Sequence, residues 1–204
     1  MIAILDTGGA NHSSIQNALA RLGRESEVAV EITVDKRRLQ AASHLILPGV
    51  GHAGYAMENI NKHNLSEFIL RQEKPVLGIC LGMQLLFSAS EEGNAQCLGL
   101  LPGTVTRMQP QPDFRVPHMG WAPLRKIGAK SRLLEGIDEN AYFYFVHSYK
   151  VPSGEWIVAE TQPPYSLPAV VEYRNFYATQ FHPERSGSAG AKVLQNFLQL
   201  EARR

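Results

Sequence analysis

A cysteine between two glycines ends an apolar run in the segment GICLG, residues 78–82. The segment has the form of a nucleophile elbow, in which glycines allow a tight turn from a strand into a helix. Cys80 is a candidate nucleophile there, because the start of a helix favours a thiolate and the next N–H, from Leu81, can donate to an oxyanion. The alternative is a small buried cysteine in a glycine-rich turn, since cysteine is among the most buried residue types. The segment alone does not decide between the two.

A base for that cysteine is suggested by the segment QFHPE, residues 180–184. Pro183 disfavours a helix at His182 and keeps the chain extended there. In an extended chain residues i and i+2 project to the same side, so Glu184 can lie beside the imidazole of His182. A carboxylate that orients a base, which in turn serves a nucleophile, is the arrangement of a catalytic triad. The alternative is a surface turn with an incidental His and Glu, and it is disfavoured when the segment is considered together with Cys80.

A glycine-containing segment follows another apolar run in LILPGVG, residues 45–51. Glycines let backbone N–H groups approach a substrate closely and let peptide planes turn. Such a segment suits an oxyanion hole, although Pro-Gly after a strand usually marks only a turn. The candidate oxyanion donors are therefore the backbone groups of Gly49, Val50, Gly51 and Leu81.

The elements that must position these residues follow from the apolar pattern. In the first half, short apolar runs alternate with helical patterns, which predicts a parallel, doubly wound sheet. In the second half, strand formers, Pro and Gly predict antiparallel strands, and the chain closes with an amphipathic helix. The predicted strands are 2–5, 28–32, 45–47, 76–79, 103–107, 116–124, 142–150, 156–161 and a hairpin over 170–181 broken at 174–175, and the predicted helices are 13–22, 57–70 and 189–201.

Composition limits the classes of function. Lys and Arg total 20 against 19 Asp and Glu, a balance that argues against recognition of nucleic acid or of an anionic membrane. Neither Cys80 nor Cys97 has a Cys or His at zinc-site spacing, so we predict no metal and no cofactor. Two cysteines in different contexts make a disulfide framework improbable. Because Asp6 interrupts the first apolar run too early for a signal peptide, we predict a cytoplasmic protein.

Three motifs together resemble the class I, triad-type glutamine amidotransferases: PGVG at 48–51, GICLGMQLLF at 78–87 and QFHPERSG at 180–187. Three more are similar to the glutaminase subunits of imidazole glycerol phosphate synthase, an enzyme of histidine biosynthesis: LDTGGANHSSIQNAL at 5–19, PHMGW at 117–121 and YFYFVHSY at 142–149. The predicted fold is thus a single doubly wound, flavodoxin-like α/β domain over 1–204. Its sheet is mixed, with an antiparallel elaboration in the second half.

The resemblance implies a reaction. Cys80 would attack the side-chain amide of glutamine and form a γ-glutamyl thioester, with His182 as base and then acid and Glu184 orienting it. Side chains that match glutamine contacts in relatives are Gln84, Glu92, Ser148 and Tyr149.

The resemblance also implies a partner. Ammonia would pass to a (β/α)8 cyclase subunit in a heterodimer, which uses it to make imidazole glycerol phosphate and an aminoimidazole carboxamide ribotide. Asn11, His118 and Trp121 would lie at the interface. Ala122 follows Trp121 where the family usually has Asn, a difference that bears on the partner contact.

Other functions stay open on the sequence. The chain could serve another amidotransferase, such as anthranilate synthase, although PHMGW and YFYFVHSY argue against that. A catalytically silent interaction module could keep the fold, but Cys80, His182 and Glu184 are all present. A cysteine peptidase or esterase could share the elbow.

Overall fold

The computed structural model describes residues 1–8, 12–22, 29–49, 51–127, 130–162 and 165–202. Its centre is a nine-stranded mixed sheet in the order β2-β1-β3-β4-β13-β12-β11-β8-β9, beside a four-stranded sheet in the order β10-β7-β5-β6. The strands are β1 Ile2–Leu5, β2 Val30–Thr33, β3 His44–Leu47, β4 Val76–Ile79, β5 Phe87–Ser90, β6 Ala95–Gln96, β7 Leu101–Arg107, β8 His118–Lys126, β9 Tyr142–His147, β10 Tyr149–Lys150, β11 Ile157–Thr161, β12 Pro168–Tyr173 and β13 Phe176–Thr179.

Helices cover both faces of the large sheet. The helices are α1 His12–Leu22, α2 Lys36–Ala41, α3 Ala53–Lys62, α4 Ser66–Leu70, α5 Leu81–Gln84 and α6 Gly187–Leu198. Helices α1 and α6 pack into one apolar cluster, whereas α2, α3 and α4 pack into another on the opposite face together with the small sheet. Alternate residues of β1 point into the two clusters, which explains why that strand is apolar throughout. No helix among the described residues is long and apolar enough to cross a membrane.

The α/β class and mixed sheet confirm the predicted fold. Strands β1, β2, β3, β4 and β13 run parallel, and every pairing from β13 outward to β9 is antiparallel. The predicted strands 2–5 and 76–79 have the observed bounds, and the hairpin broken at 174–175 is β12 and β13. Residue 28 of one predicted strand lies outside the described residues.

Several predicted elements differ from the observed ones. The helix predicted over 57–70 is two helices, because Asn64 adopts a φ of 53° between them. Helix α2 and strands β5 and β6 are absent from the prediction: α2 is short, and β5 and β6 contain only four and two residues. The predicted strand 103–107 lies within β7, and the predicted strand 142–150 is divided into β9 and β10. The helix after Cys80 ends at Gln84, so it is a single turn with only a few aligned peptide dipoles. The predicted support of a thiolate by a helix dipole is correspondingly small.

Candidate active site

The turn after β4 places Cys80 in a strained conformation. Its φ of 52° and ψ of −105° are rare for a residue with a Cβ, and its N–H donates to the Thr179 carbonyl at 2.7 Å. Both flanking glycines are required by close packing. A Cβ on Gly82 would lie 1.9 Å from the Leu47 carbonyl oxygen, and one on Gly78 would lie 2.7 Å from the Gly82 carbonyl oxygen. Glycine is needed at both positions of the GICLG segment because Gly78 packs against Gly82 and Gly82 packs against β3.

His182 reaches the same place from the neighbouring strand. Strand β13 pairs in parallel with β4, with Thr179 beside Ile79, so the chain beyond both strands emerges at one edge of the sheet. The His182 N–H donates to the Tyr144 carbonyl at 2.9 Å. This position is the carboxyl end of parallel strands, where open α/β sheets bind ligands.

Glu184 lies beside His182, but the cause differs from the predicted one. His182 is extended, with φ −96° and ψ 97°, and a 3-10 turn over Pro183–Arg185 then folds Glu184 back toward the ring. Glu184 Oε1 is 2.8 Å from His182 Nδ1, and the two side chains are only 5% and 3% exposed. The Ser186 hydroxyl donates to the His182 carbonyl and fixes the same turn.

The surroundings of His182 favour its protonated form. Burial lowers the pKa of His182, but its interactions with Cys80 and Glu184, which favour the charged ring, outweigh burial and raise it to about 10. Among the residues that the structure describes, His182 Nε2 has no hydrogen-bond partner by strict geometry. The arrangement can therefore hold an imidazolium beside a thiolate.

A cavity of about 360 Å³ opens beside Cys80. The candidate glutamine contacts Gln84, Glu92, Ser148 and Tyr149 all line it, as do the candidate oxyanion residues Gly49, Gly51 and Leu81. Val50 lies outside the described residues. The structure thus brings together the nucleophile and every described candidate of these two groups. The cavity is lined by Gly49, Gly51, Cys80, Leu81, Gln84, Glu92, Pro117, Val146, His147, Ser148 and Tyr149.

Gly49 packs directly onto the turn that carries the candidate oxyanion donor. A Cβ at Gly49 would lie 2.5 Å from the Leu81 nitrogen and 2.3 Å from the Gly82 nitrogen. None of the described residues accepts a hydrogen bond from the Leu81 N–H. The Gly49 backbone therefore lies against the Leu81 N–H, beside Cys80.

Two of the candidate glutamine contacts also bind protein atoms. Glu92 Oε2 accepts from the Ala53 N–H at 2.9 Å, at the start of α3. The Gln84 amide donates to the Tyr149 carbonyl at 3.3 Å and to Gln180 Oε1 at 3.0 Å. These contacts hold one wall of the cavity in place before any substrate is bound.

The candidate interface residues take different positions on β8. The Trp121 side chain is exposed, and with Met119 and Tyr142 it forms an apolar patch on the outer face of β8 and β9. His118 faces the other way and packs on Phe145. Ala122 also faces inward, against the core. Asn11 lies outside the described residues.

His147 is a cavity residue that the sequence argument did not select. It is 6% exposed, and its Nδ1 lies 2.7 Å from the Tyr149 carbonyl while its Nε2 lies 3.2 Å from His118 Nδ1. Burial above all, with the charges of His118 and His182, lowers the pKa of His147 to about 4, against the opposing effect of the Tyr149 carbonyl. The alternation of β9, in which Phe143 and Phe145 face inward, places His147 on the same side and was the available signal.

Comparison with known proteins agrees with this geometry. Residues 3–200 match the family model described as glutamine amidotransferase class-I, and the chain belongs to that family. A crystal structure described as that of a glutamine amidotransferase superposes with a TM-score of 0.74 at 20% identity, covering 97% of both chains, which shows the same fold.

Two similar relatives carry the name imidazole glycerol phosphate synthase subunit HisH. The relative from Xylella fastidiosa is 48% identical over 201 residues and covers 98% of each chain. The relative from Vibrio cholerae is 45% identical over 205 residues, again covering 98% of each.

Proposed function

We propose that this protein is the glutaminase subunit of imidazole glycerol phosphate synthase, converting glutamine to glutamate and ammonia for a cyclase partner. The single observation that carries the proposal is the convergence of Cys80, His182 and Glu184 beside a cavity lined by the candidate glutamine contacts. The whole-length similarity to HisH subunits supports the choice of synthase.

Acylation begins with the Cys80 thiolate. The sulfur attacks the δ-carbon of glutamine and forms a tetrahedral intermediate with a negative oxygen. Collapse of that intermediate breaks the C–N bond while protonated His182 gives its proton to the departing nitrogen, which leaves as ammonia. The raised pKa of His182 suits this step because the ring holds its proton until the leaving group needs it.

The oxyanion is held by backbone donors. We assign this role to the Leu81 N–H and to a peptide of the segment 49–51, of which Gly49 packs against the Leu81 nitrogen. The glycine at 51, with φ 122° and no atom near its Cβ position, permits a peptide rotation that a side chain would resist. We therefore expect the isolated subunit to hydrolyse glutamine slowly until the partner orients this segment.

Deacylation reuses the same histidine. Neutral His182 takes a proton from water as the hydroxide attacks the thioester, and cleavage of the C–S bond regenerates the thiolate beside the imidazolium. The new γ-carboxyl group then releases its proton to solvent, and the product leaves as glutamate. Glu184 keeps the ring oriented through both steps and stabilises its positive form. The ammonia passes to the cyclase, a (β/α)8 barrel that forms a heterodimer with this chain through the apolar patch of β8 and β9.

The test is to mix the protein with a candidate cyclase and to measure glutamine turnover with and without the ribotide substrate. We expect turnover to rise on mixing and again when the ribotide is added, with imidazole glycerol phosphate as a product. Equal turnover by the isolated subunit would contradict partner activation. Coupling instead to an anthranilate synthase partner would refute the assignment to this synthase.

A further inference from the structure

A glutamine side chain contacts the sulfur of the candidate nucleophile. Gln180 Nε2 lies 3.6 Å from Cys80 Sγ, and Gln180 is completely buried. Gln180 and His182 both follow directly after β13, so the same strand positions the base and this amide. Neither the glutaminase mechanism above nor the predicted glutamine contacts gives it a role.

The direction of the Gln180 amide is fixed by a backbone carbonyl. The Tyr149 carbonyl can only accept, so Gln84 must present its NH₂ group there, at 3.3 Å. The same NH₂ group donates to Gln180 Oε1 at 3.0 Å. Gln180 Oε1 is thereby the acceptor end, and the NH₂ end of Gln180 points at Cys80.

Burial makes this contact depend on the charge of the sulfur. Among the described residues, Cys80 Sγ is the acceptor that the structure gives to Gln180 Nε2. A thiol is a weak acceptor, whereas a thiolate is a strong, charged one, and a buried donor without a good acceptor is costly. The Val146 carbonyl, 3.8 Å from the sulfur, acts in the opposite direction because it accepts from a thiol and repels a thiolate.

We propose that Gln180 is a further catalytic residue, whose amide N–H stabilises the Cys80 thiolate, and that Gln84 is the residue that positions it. The inference rests on the proposed function of Cys80 as nucleophile. The thiolate would then be stabilised by two groups that follow β13: the charged imidazolium of His182 and the uncharged amide of Gln180. Gln180 and His182 then hold the thiolate together against the Val146 carbonyl.

The contact also acts during the reaction. When the thioester forms, the sulfur loses its negative charge and accepts hydrogen bonds poorly, so the Gln180 contact weakens. When water releases glutamate, the charge returns and the contact strengthens. Gln180 therefore favours departure of the acyl group more than its arrival, and its loss should slow deacylation as well as thiolate formation.

The test measures the sulfur directly, without glutamine or a partner. A Cys97→Ala background leaves Cys80 as the one thiol, and its alkylation by iodoacetamide is followed by mass spectrometry across pH. Gln180→Met removes the donor at nearly constant size, and Gln180→Asn keeps an amide but withdraws it from the sulfur. Gln72→Met, which removes a buried glutamine amide bonded to the Phe68 carbonyl, is the matched control.

We expect the midpoint of the alkylation profile to move upward in both Gln180 variants. The shift should correspond to about a tenfold change in the thiol ionisation constant, the effect of losing one hydrogen bond to a charged group. Gln72→Met should leave the midpoint unchanged. An unchanged midpoint in either folded Gln180 variant would overturn the inference.

A measurement on the protein with Gln180 intact covers the case in which neither variant folds. The side-chain amide proton signals of Gln180 should shift in NMR spectra with the same pH midpoint as alkylation, and a flat response would overturn the inference.

The proposed function and the role of Gln180 can fail independently of each other. A shifted midpoint in a protein that shows no glutaminase activity with its partner would refute only the proposed function. Partner-dependent glutaminase activity with an unmoved midpoint would refute only the role of Gln180.

Discussion

His182 Nδ1 and Glu184 Oε1 lie 2.8 Å apart although only Pro183 separates the two residues in the chain. Pro183 starts the 3-10 turn that folds Glu184 back toward His182, so this one short turn orients the base. Because both side chains are buried, water does little to weaken the attraction between imidazolium and carboxylate. The direction of the ring is consequently fixed by Glu184, a neighbour two residues away in the sequence.

Removing the nucleophile should separate the two chemical activities of the complex. In Cys80→Ala, glutamine-dependent synthesis should fall by about four orders of magnitude or more, because no other group can form the thioester. Synthesis with added ammonium salt should continue, since the proposed cyclase partner would use ammonia directly. Loss of ammonia-dependent synthesis as well would mean that Cys80 supports the structure of the complex instead.

Replacing the orienting carboxylate should change the pH profile. Glu184→Gln removes a negative charge that raises the pKa of His182, so that pKa should fall from about 10. In the proposed mechanism imidazolium is the proton donor, so activity should be lost as the pH rises through this pKa, and the alkaline limb should move to lower pH. We also expect kcat to fall by between about 10² and 10⁴. Glutaminase assays of the complex from pH 6 to 10 check this, with Glu73→Gln on the surface as control; an unmoved limb would contradict it.

Acid should destabilise the protein through His147. Its pKa is lowered to about 4, chiefly by burial, so its contribution to stability is complete above pH 6.5. As the pH falls below 6.5, His147 becomes protonated in the unfolded chain but stays neutral in the folded one. The free energy of unfolding should therefore decrease by about 1.4 kcal/mol per pH unit until the pH approaches 4. Denaturant unfolding at pH 7 and pH 5 should show a difference of about 2 kcal/mol from this residue. His147→Asn should flatten that dependence; an identical slope in the variant would show that other groups cause it.

A methyl group at the glycine segment should damage transition-state stabilisation. In Gly49→Ala the new Cβ would lie 2.5 Å from the Leu81 nitrogen and 2.3 Å from the Gly82 nitrogen, well inside van der Waals contact. The segment would therefore have to move away. We expect kcat to fall by about 10² to 10³, the effect of losing one oxyanion donor. The alkylation rate of Cys80 should change little, because that reaction needs no oxyanion. Gly54→Ala, whose Cβ would come no closer than 3.2 Å to its neighbours, is the matched control, and equal losses in both variants would contradict this explanation.

The apolar patch should contribute to partner binding. Trp121 is 54% exposed on β8, and a large aromatic side chain buried in an interface commonly contributes 2 kcal/mol or more to binding, roughly a 30-fold change in Kd. Trp121→Ala should weaken binding to the cyclase by about that factor and leave the isolated subunit folded. Ile32→Ala on β2, at the opposite edge of the large sheet, is the control, because that residue is also an exposed apolar one. Isothermal titration that gives equal Kd values for Trp121→Ala and the unaltered protein would exclude the patch as the interface.

Residues whose roles depend on local chemistry could be found from the sequence. The glycines around Cys80 indicate a tight turn because few other residues permit one, and the His-Pro-Glu segment indicates a fixed imidazole for the same kind of reason. Apolar runs such as β1 and β4 indicate buried parallel strands because both faces of those strands are covered.

Residues whose roles depend on distant neighbours could not be found that way. Gln180 faces Cys80 only because β13 pairs with β4, a pairing between residues 100 positions apart. His118 turns away from the surface because of its packing against Phe145 and His147, which its own sequence neighbourhood does not indicate. The need for glycine at position 82 likewise depends on a distant residue, since a Cβ there would collide with the Leu47 carbonyl.

The insertion of β13 between β4 and β12 also has a consequence for biosynthesis of the chain. The first four strands of the parallel region precede residue 80, whereas the fifth is made roughly 100 residues later and must enter beside β4. Pairing across such a distance in sequence is a late and slow event in folding. A nascent chain therefore carries a thiol without its histidine on the ribosome, and glutaminase chemistry becomes possible only after β13 and the residues that follow it have emerged and docked.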